Sequence, residues 1–103
     1  MKKFENVTVL LEGNSYFDGA VTSRTVLFPD GSKKTLGFML PGEYTFGTEA
    51  AELMEITAGE LDVKLPDSQE WQTVKGGDAF NVPANSTFQV NVKCITDYCC
   101  SYL

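Results

Sequence analysis

Two glycine- and proline-punctuated stretches constrain how this chain can fold back on itself. The first runs Pro41-Gly42-Glu43-Tyr44-Thr45-Phe46-Gly47-Thr48, continues through Glu52 and closes on Ala58-Gly59-Glu60-Leu61, with six residues between Glu52 and Gly59. The second runs Gly77-Asp78-Ala79-Phe80-Asn81-Val82-Pro83-Ala84-Asn85-Ser86-Thr87-Phe88, with five residues between its glycine and its proline. Glycine accepts positive φ, and proline presets its own φ while removing a donor. Corners this frequent leave room only for short strands.

The rest of the chain reads the same way. Residues 21–28 are rich in Val, Thr and Leu, which suit a pleated surface. Pro29-Asp30-Gly31 then supplies a turn, and residues 34–40 return as the second arm of a hairpin. Further strands are expected over residues 43–48, 53–58, 61–65, 71–74, 79–82, 87–92 and 97–102, each bounded by turn residues. The segment Glu49-Ala50-Ala51-Glu52-Leu53-Met54-Glu55 is built almost wholly from helix formers. It is too short to stand as an isolated helix, so the expectation is a strand from Glu52, with a helical turn allowed near Ala50. In the last strand Tyr98, Cys100 and Tyr102 share one face and Cys99, Ser101 and Leu103 the other, so one cysteine of the adjacent pair should point inward and one outward. The fold class is all-β, a barrel or sandwich with little helix.

Composition narrows the function classes. At 103 residues, 43% hydrophobic and 21% charged, the chain is one ordinary globular domain. Its formal net charge of −6, with eight scattered Lys and Arg, disfavours nucleic-acid polymers and anionic membrane surfaces as partners. No apolar run approaches the ~20 residues that span a bilayer, and Glu12 follows a short apolar run too soon for a signal-peptide core. A cytoplasmic location is the default. Three cysteines bunched near one end make no disulfide framework.

The spacings of the two punctuated stretches resemble the two motifs of the cupin superfamily, a small jelly-roll β-barrel. Metal-binding cupins carry two His and a Glu in the first motif and a further His in the second. Here the first offers Tyr44, Phe46 and Thr48 beside Glu52, Phe88 fills the His place of the second, and the chain contains no histidine. The barrel reading survives and the metal reading does not: the metal-dependent dioxygenase or isomerase alternative would leave Glu52 nearly alone on the ion.

A closer likeness runs from Ser15-Tyr16-Phe17-Asp18-Gly19 through Val21 and Ser23, Gly37-Phe38-Met39-Leu40-Pro41-Gly42-Glu43-Tyr44-Thr45-Phe46 and Glu52-Leu53-Met54. It continues through Gly59, Leu65-Pro66, Trp71, Phe80-Asn81-Val82-Pro83 and Ser86 with Phe88, to the end at Tyr98-Cys99-Cys100-Ser101-Tyr102-Leu103. Together these phrases resemble the bacterial pyrimidine/purine nucleoside phosphorylase family of small single-domain cupins. The resemblance covers residues 10–103 and leaves residues 1–9 as an N-terminal extension. Ser101 stands where some relatives carry Arg.

That resemblance implies a metal-independent glycosyltransferase of the pentosyltransferase kind. It would take purine or pyrimidine nucleosides and inorganic phosphate to free base and ribose 1-phosphate, with phosphate as co-substrate and no cofactor. Such chemistry passes through an oxocarbenium-like transition state. It calls for a group to stabilise a cationic ribose, donors to hold phosphate, and a platform for the base. Glu52, at the place of the cupin glutamate, and Glu43 are the catalytic candidates. Ser23, Tyr44, Phe46, Thr48, Met54, Phe88, Tyr98 and Tyr102 are the substrate-binding candidates, the aromatics as stacking surfaces that tolerate any base. For phosphate, Arg24, Lys64 and Lys75 have no positional support, and hydroxyls with backbone N–H groups near the glycines are the alternative. A homodimer is expected from cupin habit and from the need to cover exposed sheet. The runner-up is a non-catalytic barrel binding a nucleoside or sugar-like ligand, since a fold does not fix a function.

Overall fold

The computed structural model describes residues 2–103. Eleven strands follow in order: β1 (Thr8–Val9), β2 (Asn14–Tyr16), β3 (Val21–Leu27), β4 (Lys33–Met39), β5 (Gly42–Gly47), β6 (Glu52–Ala58), β7 (Glu60–Lys64), β8 (Gln72–Lys75), β9 (Ala79–Val82), β10 (Thr87–Val92) and β11 (Thr96–Tyr102). They form two antiparallel sheets. One has the order β1-β3-β4-β11-β6-β9 with β2 added on β3; the other is β5-β10-β7-β8. The sheets face each other around one interior as the expected all-β jelly roll, and among the described residues no strand of one sheet pairs with a strand of the other, so the barrel is not closed. Among the described residues no helix is long and apolar enough to cross a membrane.

Alternation builds that interior. On β10 Phe88, Val90 and Val92 are buried, and on β7 Leu61 and Val63; on β6 it is Met54 and Ile56. These residues form one apolar cluster joined by Val21, Met39, Val74, Phe80 and Val82. The helix-forming segment is overridden: β6 begins at Glu52 and pairs with β11 and β9. A bend at Glu49 and Ala50, not a helical turn, leads into it. Packing of Met54 and Ile56 in the interior outweighs local preferences worth a few tenths of a kcal/mol per residue.

Close approaches dictate two glycines. At Gly37 in β4 a Cβ would lie 1.7 Å from the Thr22 carbonyl oxygen and 3.0 Å from the Tyr98 hydroxyl, which donates to the same carbonyl at 2.8 Å. At Gly59, between β6 and β7, φ is +102° and a Cβ would meet Thr96 Oγ1 at 2.6 Å.

In the N-terminal segment Thr8 and Val9 pair with Leu27 and Val26 of β3. β2 and the 3-10 turn Phe17–Gly19 also lie in a stretch where no strand or turn is expected from the sequence. The cysteines of β11 alternate as expected, yet both are buried. Cys100 faces the interior, while Cys99 is covered on the outer face of a central strand between Leu36 of β4 and Glu55 of β6.

Candidate functional site

A cavity of about 210 Å³ opens between the sheets, and its walls differ in chemistry. The four-stranded sheet contributes Phe46 and Phe88, whose ring centroids lie 5.5 Å apart at 34°, and Phe80 of β9, on the other sheet, packs edge-on against Phe88 at 6.0 Å. The seven-stranded sheet contributes Ser23, Thr35, Glu52, Met54, Tyr98, Cys100 and Tyr102, with Tyr16 at the edge. An aromatic wall thus faces a mixed wall, on which hydroxyls and one carboxylate stand among Val21, Met39 and Met54.

Strand register explains the polar wall. Tyr102 pairs with Glu52 across β11 and β6, and Cys100 pairs with Met54 on one side and Thr35 of β4 on the other. Pairs on adjacent strands share a face, so Glu52, Tyr102, Thr35 and Cys100 converge. The Tyr102 and Thr35 hydroxyls are 3.2 Å apart. Asn14 of β2 donates from its amide to the Ser23 hydroxyl at 3.4 Å, tying the edge strand to this wall.

Burial dominates the electrostatics. It raises the Glu52 carboxyl above the usual carboxylate range, with the neighbouring Cys100 thiol pulling it partly back. The Cys100 thiol is pushed up to about 12, first by burial and then by the Glu52 charge. Burial likewise pushes Tyr102 up to about 12 and raises Tyr98. At neutral pH Cys100 is a neutral thiol, unsuited to nucleophilic attack.

Of the ten residues singled out in the sequence, seven line this cavity: Ser23, Phe46, Glu52, Met54, Phe88, Tyr98 and Tyr102. The other three do not. Tyr44 is buried behind the aromatic wall, its hydroxyl donating to the Leu40 carbonyl at 2.7 Å while its ring meets Phe17 at 5.0 Å. Thr48 fastens the end of β5 to the turn before β10: its hydroxyl donates to the Pro83 carbonyl at 2.7 Å and accepts from the Ser86 N–H at 3.1 Å. Glu43 is exposed and shares a hollow with Trp71 and Gln89 on the outer side of the four-stranded sheet, because Tyr44 takes the inward position of β5. Of the two carboxylates, only Glu52 reaches the cavity.

Tyr16, Thr35 and Cys100 line the cavity without having been singled out. The face shared by Tyr98, Cys100 and Tyr102 was the available signal for the cysteine. Thr35 carries none beyond its alternation with exposed neighbours.

Comparison with known proteins meets this geometry. A family model described as pyrimidine/purine nucleoside phosphorylase matches residues 11–102. The chain belongs to that family. A Sulfurovum protein named pyrimidine/purine nucleoside phosphorylase is 81% identical over 103 residues, covering 100% of both chains. One of the same name from Hydrogenovibrio crunogenus is 64% identical over 100% of this chain and 99% of its own. A crystal structure of a protein of unknown function from Acinetobacter is 44% identical, with a TM-score of 0.95 over 98% of each chain. An RmlC-like cupin from Shewanella frigidimarina has a TM-score of 0.70 at 14% identity over 98% of this chain and 86% of its own, a likeness of fold alone.

Proposed function

We propose that the protein is a metal-independent nucleoside phosphorylase of broad specificity. It converts a purine or pyrimidine nucleoside and inorganic phosphate into free base and α-D-ribose 1-phosphate. The observation that carries this reading is the two-walled cavity: Phe46 and Phe88 on one side, Glu52 among hydroxyls on the other. The relatives' shared name supports it. Among the described residues no three His, Cys, Asp or Glu side chains come together to hold a metal ion.

The base stacks on the aromatic wall, which accepts any base because every base has a π-face. The ribose lies towards Glu52, which accepts hydrogen bonds from its hydroxyls and opposes the positive charge that grows on the sugar. Hydrogen phosphate attacks the anomeric carbon from the face opposite the base. An oxygen–carbon bond forms, the carbon–nitrogen bond breaks with its electron pair passing to the base, and the proton of hydrogen phosphate ends on that nitrogen. Half-burial of Glu52 in a site of low polarity strengthens its effect on the cation.

Incubation with uridine, adenosine, guanosine and inosine, each with and without phosphate, tests the reading. Free base and ribose 1-phosphate appearing only with phosphate is the expected result. Release without phosphate would make the protein a hydrolase, and no release from any nucleoside would leave a binding module.

A further inference from the structure

Phosphorolysis needs a place for a doubly charged anion, and the cavity wall itself carries no cation. Five cations stand on strands. Arg24 of β3 alternates with buried Ser23, points away from the interior, and donates through Nε to the Leu11 carbonyl at 3.4 Å. Lys34 of β4 faces outward over the rings of Phe4 and Phe28, at 5.4 and 5.7 Å. Lys64 and Lys75 follow buried Val63 and Val74 and lie on the outer face of the four-stranded sheet.

Lys33 is different. It shares its face of β4 with Thr35, whose buried side chain lines the cavity. It lies one position beyond the Lys34–Ser101 pair, which sets it against Tyr102 at the cavity mouth. Its ammonium is 5.3 Å from the centre of the Tyr102 ring. Among the described residues it makes no salt bridge, whereas Lys3 and Lys93 are both paired with carboxylates. Its charge is held by a phenol face and not neutralised by an acid.

We propose that Lys33, with the hydroxyls of Thr35 and Tyr102, forms the subsite for the phosphate co-substrate at the mouth of the cavity. This rests on the phosphorylase reading and deepens it. Lysine serves phosphate as a mobile point charge, and neutral hydroxyls add directed donors. The position also answers the repulsion expected from Glu52. The strand order β4-β11-β6 puts two strand spacings, about 9.6 Å, between the backbones of Lys33 and Glu52, with Tyr102 between them. Lys33 projects from the sheet opposite Phe46 and Phe88, so phosphate held there approaches the sugar from the side away from a base stacked on the aromatic wall.

The test is the phosphate KM at saturating nucleoside for wild type, Lys33→Gln, Lys33→Arg and Lys34→Gln. Lys33→Gln is expected to raise the phosphate KM at least about tenfold, the loss of one charge-assisted contact, with the nucleoside KM essentially unchanged. Lys33→Arg should recover most of it, and Lys34→Gln, on the opposite face, should match wild type. An unchanged phosphate KM in Lys33→Gln overturns the subsite. A phosphorus-NMR titration with inorganic phosphate alone separates this from the phosphorylase reading. Should wild type show no turnover, that reading falls. Phosphate broadening seen in wild type and lost in Lys33→Gln would still support an anion subsite. Broadening equal in both, or absent from both, would overturn it.

Discussion

Glu52 is the residue whose presence costs the fold most plainly. Its carboxyl sits half-buried beside Met54, Cys100 and Tyr102, and burial raises its pKa above the usual carboxylate value. The sign follows. A carboxyl with a raised folded-state pKa favours the protonated native state, so its contribution is fully present below the unfolded pKa and is lost as pH rises through the folded one. Glu52→Gln removes that loss, so its thermal midpoint relative to wild type is expected to rise as pH is taken from about 4 to 7. The same change is expected to lower turnover well over tenfold, as removal of a group that acts on transition-state charge does. Thermal melts across that range and initial rates at pH 7 check both halves. Equal turnover would remove Glu52 from the mechanism, and a pH-independent difference in midpoint would contradict its burial. This residue was legible in the sequence because the spacing to Gly59 marks it. Lys33 was not, because membership of the cavity mouth depends on which way β4 faces, and the adjacent Lys34 has the same chemistry but the opposite orientation.

The strand pair β3–β4 depends on an absent side chain. With the Thr22 carbonyl 1.7 Å from where a Gly37 Cβ would stand, and the Tyr98 hydroxyl at 3.0 Å, Gly37→Ala has to push β3 and Tyr98 away together. The upper range for overpacking, about 3 kcal/mol, corresponds to roughly 12–24 °C in midpoint for a domain of this size. Calorimetry is the check, and a loss under about 4 °C would mean that the strands part at little cost. Tyr98→Phe separates the two effects, since it removes only the hydroxyl bond to Thr22. Most strands could be placed in the sequence because turn chemistry bounds them: β9 and β10 fall on the expected residues, β3 ends one residue early, and β4 is shifted by one residue at both ends. β1 and β2 were missed because two- and three-residue strands carry no measurable periodicity and exist only by pairing with β3. The motif spacing likewise fixed β6 against its own propensity. Glu43 was misplaced relative to the cavity for a related reason: Tyr44 and Phe46 both suit the interior, but spacing alone does not say which alternate residues of β5 enter the lumen.

At the scale of the whole molecule the two sheets divide the work, and their outer faces are not alike. On the seven-stranded sheet Leu36 and Phe38 of β4 and Leu40 just beyond its end, none of which lines the cavity, are 37%, 53% and 43% exposed and follow one another at alternate positions. The outer face of the four-stranded sheet presents Trp71 near Glu43 and Gln89. A row of apolar side chains on a central strand is the kind of surface that a self-complementary contact covers, and two-fold pairing is the commonest way to do so. A homodimer of this chain is therefore expected to pair through the seven-stranded sheet, whose outer face lies away from the cavity. Light scattering should give twice the 11.3 kDa chain mass at micromolar concentration. Phe38→Glu should halve that mass while base release persists, because Phe38 touches neither Glu52 nor the aromatic wall. Trp71→Ser, which exchanges a comparably exposed aromatic beside the other sheet, should leave the mass alone. The reverse pair of results would move the contact to the four-stranded sheet, and a wild-type mass of one chain would mean that the apolar row of β4 stays open to water.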